Sequence, residues 1–184
     1  MSRWRTRRIA IAGAVCGALA AALVVGLCAT SRVYRIPSGS MRPALLPGDV
    51  ILTSKLPLAF GGPERWNVLV FHRPPGEGND NAPPEMVYVK RLAGLPGESV
   101  LLAQEGFRVN GAIHTPPAAV RWNQRGFYAV RGAPLQVPED RYFFLGDNGL
   151  DSRDGRYWGT ARRKDLLGRA LWVVWPPERW GWVR

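Results

Sequence analysis

Met86-Val87-Tyr88-Val89-Lys90-Arg91-Leu92 sets the reading of this chain. The segment alternates as a strand does, and Gly94-Leu95-Pro96-Gly97 turns the chain after it. Lys90 stands among Val87, Val89, Leu92 and Leu95, in a segment expected to be mostly buried. A buried ammonium loses its hydration, so its pKa falls and a neutral amine becomes available as a base. The plainer alternative is an edge-strand lysine whose head reaches solvent.

Outward from this strand the pattern repeats. Asp49-Val50-Ile51-Leu52-Thr53 and Asn67-Val68-Leu69-Val70-Phe71 are apolar, β-branched runs bounded by glycine or proline. Phe107-Arg108-Val109-Asn110-Gly111-Ala112-Ile113 carries Asn-Gly, a strong hairpin signal. Ala170-Leu171-Trp172-Val173-Val174-Trp175 reads as a closing strand, with Trp172 and Trp175 assigned to the core. Residues 72–86 can only be a loop, and residues 100–140 read as a small β subdomain or insertion. With 21 glycines and 16 prolines, short strands and turns are favoured over long helices. The expected fold is all-β, an antiparallel sheet domain over residues 31–184.

Residues 1–8, with Arg3, Arg5, Arg7 and Arg8, form a basic flank, and residues 9–29 follow without a charge. At 1.5 Å per residue such a helix would be about 31 Å long, enough for a bilayer core. We therefore expect one N-terminal transmembrane anchor over residues 9–30, with a cytoplasmic N-terminus and the domain on the outer, periplasmic face. A cleaved leader is the rival, but Leu27-Cys28-Ala29 is a weak cleavage site and the Ser-Gly-Ser stretch begins only nine residues after Ala29. Gly13 and Gly17 match a small-residue packing motif of membrane helices. Both cysteines, Cys16 and Cys28, lie in the apolar run, so the domain can hold neither a disulfide nor a cysteine metal site. The net charge of +11 fits nucleic acid or an anionic membrane. No nucleic-acid-binding signature accompanies it, and the membrane surface is the expected partner.

A basic lysine needs a nucleophile. Ile36-Pro37-Ser38-Gly39-Ser40-Met41-Arg42-Pro43 offers two serines around a glycine, stiffened by flanking prolines. Serine is a weak nucleophile until a neighbouring base takes its proton. His72 and His114 sit beside proline-rich loops, and no Gly-x-Ser-x-Gly elbow is present. Lys55 adjoins a turn, and Lys164 lies in a solvated charge run, Arg162-Arg163-Lys164-Asp165. A third stretch runs from Gly146 through Asp147, Asn148, Ser152, Asp154 and Arg156 to Gly159. Asp154 and Arg156 suit a brace of charge-assisted hydrogen bonds. Its aspartates do not match the calcium-loop pattern, so no metal or other cofactor is expected.

Together the three stretches resemble the bacterial type I signal peptidases, membrane-anchored serine peptidases with a Ser/Lys dyad. Ser38-Gly39-Ser40-Met41-Arg42-Pro43 with Leu46-Pro47-Gly48-Asp49 is similar to the nucleophile box of that family, Tyr88-Val89-Lys90-Arg91 to its lysine box, and Gly146-Asp147-Asn148 through Gly159 to a third. The resemblance implies Ser40 as nucleophile and Lys90 as general base. It implies Ser38 and the Ser40 amide as the oxyanion hole, and Ser152 as the group orienting Lys90. Asp147, Asp154 and Arg156 would brace the site, and Val87 and Tyr88 would lie along the substrate strand. The implied activity is removal of signal peptides from secreted preproteins after small residues at positions −1 and −3. Gly149, Leu150 and Gly155 depart from the family's more polar pattern. A relative dedicated to one substrate such as a conjugative pilin, and an inactive domain that binds signal peptides, are the alternatives. Trp180 and Trp182 are expected to meet the bilayer interface.

Overall fold

The computed structural model describes residues 25–74, 86–103, 105–117, 120–121 and 133–183, together with positions 13, 15–18 and 21. Residues 1–8 and much of the expected spanning segment lie outside the described residues. Positions 13, 15–18, 21 and 25–30 are helical. Among the described residues no helix is long and apolar enough to cross a membrane.

The chain is built on short strands: β1 (Ser31–Arg35), β2 (Val50–Ser54), β3 (Val68–His72), β4 (Val87–Gly94), β5 (Ser99–Ala103), β6 (Gly106–Val109), β7 (Ala112–His114), β8 (Leu135–Gln136), β9 (Arg141–Leu145), β10 (Thr160–Arg162), β11 (Leu166–Trp175) and β12 (Gly181–Trp182). Two short helices, α1 (Leu56–Phe60) and α2 (Gly155–Trp158), interrupt them. The main sheet runs β1-β2-β11-β3-β4-β9-β10 with β12 added beside β11, and every pairing in it is antiparallel. A second sheet, β7-β6-β5-β8, holds the chain between β4 and β9. Asn110 (φ 49°) and Gly111 (φ 84°) make its hairpin turn. Two consecutive positive φ values match the right-handed twist of the flanking strands, which is why Asn-Gly is favoured there.

The continuous apolar run of β3 is explained by burial on both faces. Val68 and Val70 pack with Ile36, Met41, Leu45, Ile51 and Val173 beneath the serine loop. Leu69 and Phe71 pack on the other side with Phe144, Trp158 and Leu166. A third cluster, including Val100, Phe107, Val137 and Phe143, joins the two sheets. At the sheet's C-terminal end the sequence reading needs correction. Trp175, assigned to the core, is 57% exposed, because it lies at the end of β11 and beyond the register with β12.

Candidate active site

β4 is half covered. Its second half pairs with β9 from Arg91↔Leu145 onward, whereas Val87, Tyr88, Val89 and Lys90 pair only with β3. The uncovered edge faces a cleft of about 470 Å³. Tyr34 through Ser38 form its opposite wall, and Ser40, Met41, Asp151 and Arg153 complete the lining. Val87 and Tyr88, the expected substrate-strand residues, line this cleft.

Ser40 and Lys90, fifty positions apart, meet at its floor: Lys90 Nζ lies 2.7 Å from Ser40 Oγ. Lys90 is only 3% exposed, and among the described residues no carboxylate stands within ion-pair distance of it. Leu69 is opposite it in the strand register, and its amine sits 5.5 Å from the centre of the Tyr88 ring. Burial therefore pulls the Lys90 pKa down to about 8, against the opposing fields of Asp154 and Asp147. In its charged form the ammonium donates to Ser40 Oγ; once neutral, the amine accepts the serine proton. Ser38 Oγ lies 3.3 Å from Ser40 Oγ, and the Ser40 amide has no acceptor among the described residues.

The bracing residues come from the loop between β9 and α2. Arg91 Nε and Nη2 donate to the two oxygens of Asp147, both at 2.6 Å, and Nη1 donates to the Trp66 carbonyl at 2.7 Å. Burial nevertheless raises the Asp147 pKa, with the Arg91 bonds opposing. Asp154 caps α2 by accepting from the Arg156 amide, accepts from the Gly146 amide at 2.8 Å, and binds the Arg156 guanidinium at 2.8 and 2.9 Å. Arg156 also donates to the carbonyls of Gly149 and Ser152. One acid and one base thus hold both ends of the loop.

Ser152 differs from expectation. Among the described residues its buried hydroxyl has no hydrogen-bond partner, Lys90 included. It packs against Gly146, where a Cβ would lie 2.1 Å from Ser152 Oγ and 2.7 Å from the Ser40 carbonyl oxygen. Gly155 also has a spatial reason: a Cβ there would come within 2.7 Å of the Phe143 ring. Leu150 is exposed.

Sequence reasoning missed several contributors. Asn148 holds the serine loop through its backbone amide to the Ser40 carbonyl (3.0 Å) and its side-chain amide to the Gly39 carbonyl (3.2 Å). Arg121 forms a parallel bridge with Asn148, bonding through its own backbone to Asp147 and Gly149. From the C-terminal end, Arg179 donates to Asp49 at 2.8 Å and to the Ala44 carbonyl at 3.1 Å. The asparagine could have been flagged by its place in a glycine-rich loop; the arginines carried no local signal.

The antiparallel sheet and the Ser40–Lys90 contact define a protein built to present a serine beside a buried lysine. The chain belongs to the signal peptidase, peptidase S26, family, whose sequence profile matches residues 7–175. It is 36% identical over 152 residues to probable signal peptidase I-2 of Synechocystis, covering 79% of this chain and 64% of that one. It is 31% identical to signal peptidase I of Pseudomonas aeruginosa, over 79% of this chain and 66% of the relative. The corresponding figures for signal peptidase I of Mycobacterium tuberculosis are 31%, 84% and 68%. This chain thus spans about two thirds of the length of the curated relatives it matches. The crystal structure of a signal peptidase I from Enterococcus faecalis aligns over 59% of this chain and 97% of that one, at 24% identity and a TM-score of 0.42.

Proposed function

We propose that the protein is a signal peptidase that removes N-terminal signal peptides from secreted preproteins by Ser/Lys catalysis. The observation that carries this reading is the 2.7 Å approach of Lys90 Nζ to Ser40 Oγ at the floor of a cleft with an open strand edge. An extended preprotein segment adds to β4 along Val87–Lys90, taking main-chain hydrogen bonds from that edge. Small residues at −1 and −3 would sit against Ile36, Met41, Val87 and Val89, which line the cleft. Neutral Lys90 takes the Ser40 proton as Oγ attacks the scissile carbonyl. The Ser40 amide and the Ser38 hydroxyl then stabilise the oxyanion. The resulting Lys90 ammonium protonates the departing amine of the mature protein. Lys90, neutral again, takes a proton from a water that hydrolyses the acyl-enzyme and frees the signal peptide, and returns it to Ser40 Oγ. Ser152 would orient the amine by turning its buried hydroxyl, which has no partner among the described residues, toward Lys90. Asp147, Asp154 and Arg156 keep the loop in place and do not react.

The same reading makes residues 9–30 the membrane anchor and the outer, periplasmic face of the cytoplasmic membrane the working side. Its support is the uncharged run, together with the exposure of Val15, Val25 and Leu27 on helical backbone. Exposed Trp180 and Trp182 extend the lipid contact.

The test is cleavage of a purified preprotein by the full chain in detergent. Ser40→Ala and Lys90→Met are expected to lower the rate by about 10³-fold or more. The base works unprotonated, so wild-type activity should climb through pH 8 and run at about a tenth of its plateau at pH 7. Strong cleavage by both variants would place the nucleophile elsewhere.

A further inference from the structure

We propose that Asn148 is a positioning residue for the oxyanion hole. Its side chain fixes the direction of the Ser40 N–H by holding the carbonyl on the far side of the same peptide bond. The inference rests on the peptidase reading above and adds to it a residue that does not touch substrate.

A trans peptide is planar, so its carbonyl and its N–H point in opposite directions and turn together. The bond joining Gly39 to Ser40 carries the Gly39 oxygen on one side and the Ser40 amide on the other. The Gly39 oxygen accepts from the Arg42 amide at 3.0 Å and from Asn148 Nδ2 at 3.2 Å. Only the NH₂ end of the amide can face a carbonyl, which fixes the orientation of the Asn148 side chain. Both acceptor directions of that oxygen are filled, while the Ser40 N–H is left without an acceptor among the described residues. Glycine at position 39 has no side chain to restrict rotation of this peptide, so the two bonds to its oxygen are what restrain it. The backbone of Asn148 meanwhile donates to the Ser40 carbonyl at 3.0 Å. One residue thus grips the carbonyl before and the carbonyl after the nucleophile, and the grip comes from the loop that carries Asp147.

The two grips can be separated, because a side-chain substitution removes only the one on Gly39. Truncation in Asn148→Ala frees one lone pair of the Gly39 oxygen. Asn148→Asp sets a carboxylate against that oxygen and repels it. An oxyanion donor acts in the transition state, so its misalignment lowers kcat and leaves substrate binding alone.

The experiment measures preprotein cleavage and, separately, binding of a signal-peptide-derived boronic acid that forms a tetrahedral adduct with Ser40. Asn148→Ala should lose about 10- to 100-fold in kcat with KM within about twofold, and Asn148→Asp should lose more. The pH at which activity rises should stay where the wild type has it in Asn148→Ala, since Lys90 is untouched. Boronate affinity should fall by the same factor as kcat/KM, while affinity for the cleaved signal peptide should not change. A loss expressed in KM and product affinity alike would assign Asn148 a merely structural role and overturn the proposal. So would wild-type turnover by Asn148→Ala. If the wild type cleaves no preprotein, the peptidase reading falls and the boronate comparison alone decides. Equal boronate binding by wild type and Asn148→Ala, or none by either, overturns the inference.

Discussion

Lys90 and Arg91 are consecutive residues of one strand, and both are buried, at 3% and 1% exposure. Strand alternation sends them to opposite faces of the sheet. On Arg91's side Asp147 closes a bidentate pair and the Trp66 carbonyl accepts a further hydrogen bond. On Lys90's side the amine's hydrogen-bond partner among the described residues is a serine hydroxyl. A charge enclosed by partners is inert, whereas one enclosed without a counter-ion is driven toward its neutral form. The same burial yields structural support on one face and a base on the other. What differs is the carboxylate, together with a guanidinium that keeps its proton where an amine can lose it.

The comparison can be broken most forcefully from the paired face. Asp147→Leu leaves a guanidinium that cannot shed its proton in a buried site, and should cost about 3–5 kcal/mol in denaturant unfolding. Arg91→Met should cost less, because burial already raises the Asp147 pKa and the abandoned carboxyl can take up a proton. Equal losses would mean that the Asp147 carboxyl stays ionised without its partner.

From the unpaired face the sign reverses. The folded-state pKa of Lys90 lies near 8, below its ordinary 10.5. Below pH 8 both folded and unfolded chains carry the proton, and the fold bears the full cost of the buried ammonium. Between 8 and 10.5 that cost is relieved and stability rises with pH. Lys90→Met should therefore stabilise the protein by up to about 3 kcal/mol at neutral pH while abolishing cleavage. The gain should shrink as the pH passes 8 and be nearly gone by about 10.5. A variant no more stable than wild type would show that the amine is better solvated than its burial implies.

The smallest effect concerns the clamp behind the serine loop. Arg179 is partly exposed where it meets Asp49. Arg179→Ala should cost about 1 kcal/mol, seen as a thermal midpoint lowered by roughly 2–4 °C. Activity should fall severalfold, because the turn after Ser40 loosens.

These two faces also mark how far the sequence could be read. The alternation of residues 86–92 and the Asn-Gly hairpin are local patterns, and both appear in the structure. The approach of Ser40 to Lys90 spans fifty positions, so no spacing argument reaches it; only the resemblance linked them. Arg91 was passed over because an arginine beside a lysine carries no mark of its partner fifty-six residues on. Strands β1 and β10 escaped notice because charged and hydroxyl residues interrupt their apolar ones, and helix α1 because five residues around a proline are too few for a helical period. Trp175 was misplaced because its composition is that of a core strand, whereas it pairs with Val50 of β2 at the very end of β11, beyond the reach of β12, and is left exposed there. The Ser152 hydroxyl, expected on Lys90, is unbonded; sequence names a residue's neighbourhood but not its rotamer.

β4 and β9 are neighbours in the main sheet, joined antiparallel from Arg91↔Leu145. The chain that leaves at Gly94 therefore comes back beside its own point of departure. In topological terms β4 and β9 are the two arms of one hairpin, and the whole second sheet is its loop. The length of that loop can change while the register of β4 with β9 stays as it is. The two sheets are tied by the apolar cluster of Val100, Phe107, Val137 and Phe143, and the backbone stitch of Arg121 to Asn148 is a route by which remodelling of the loop would be felt at Ser40.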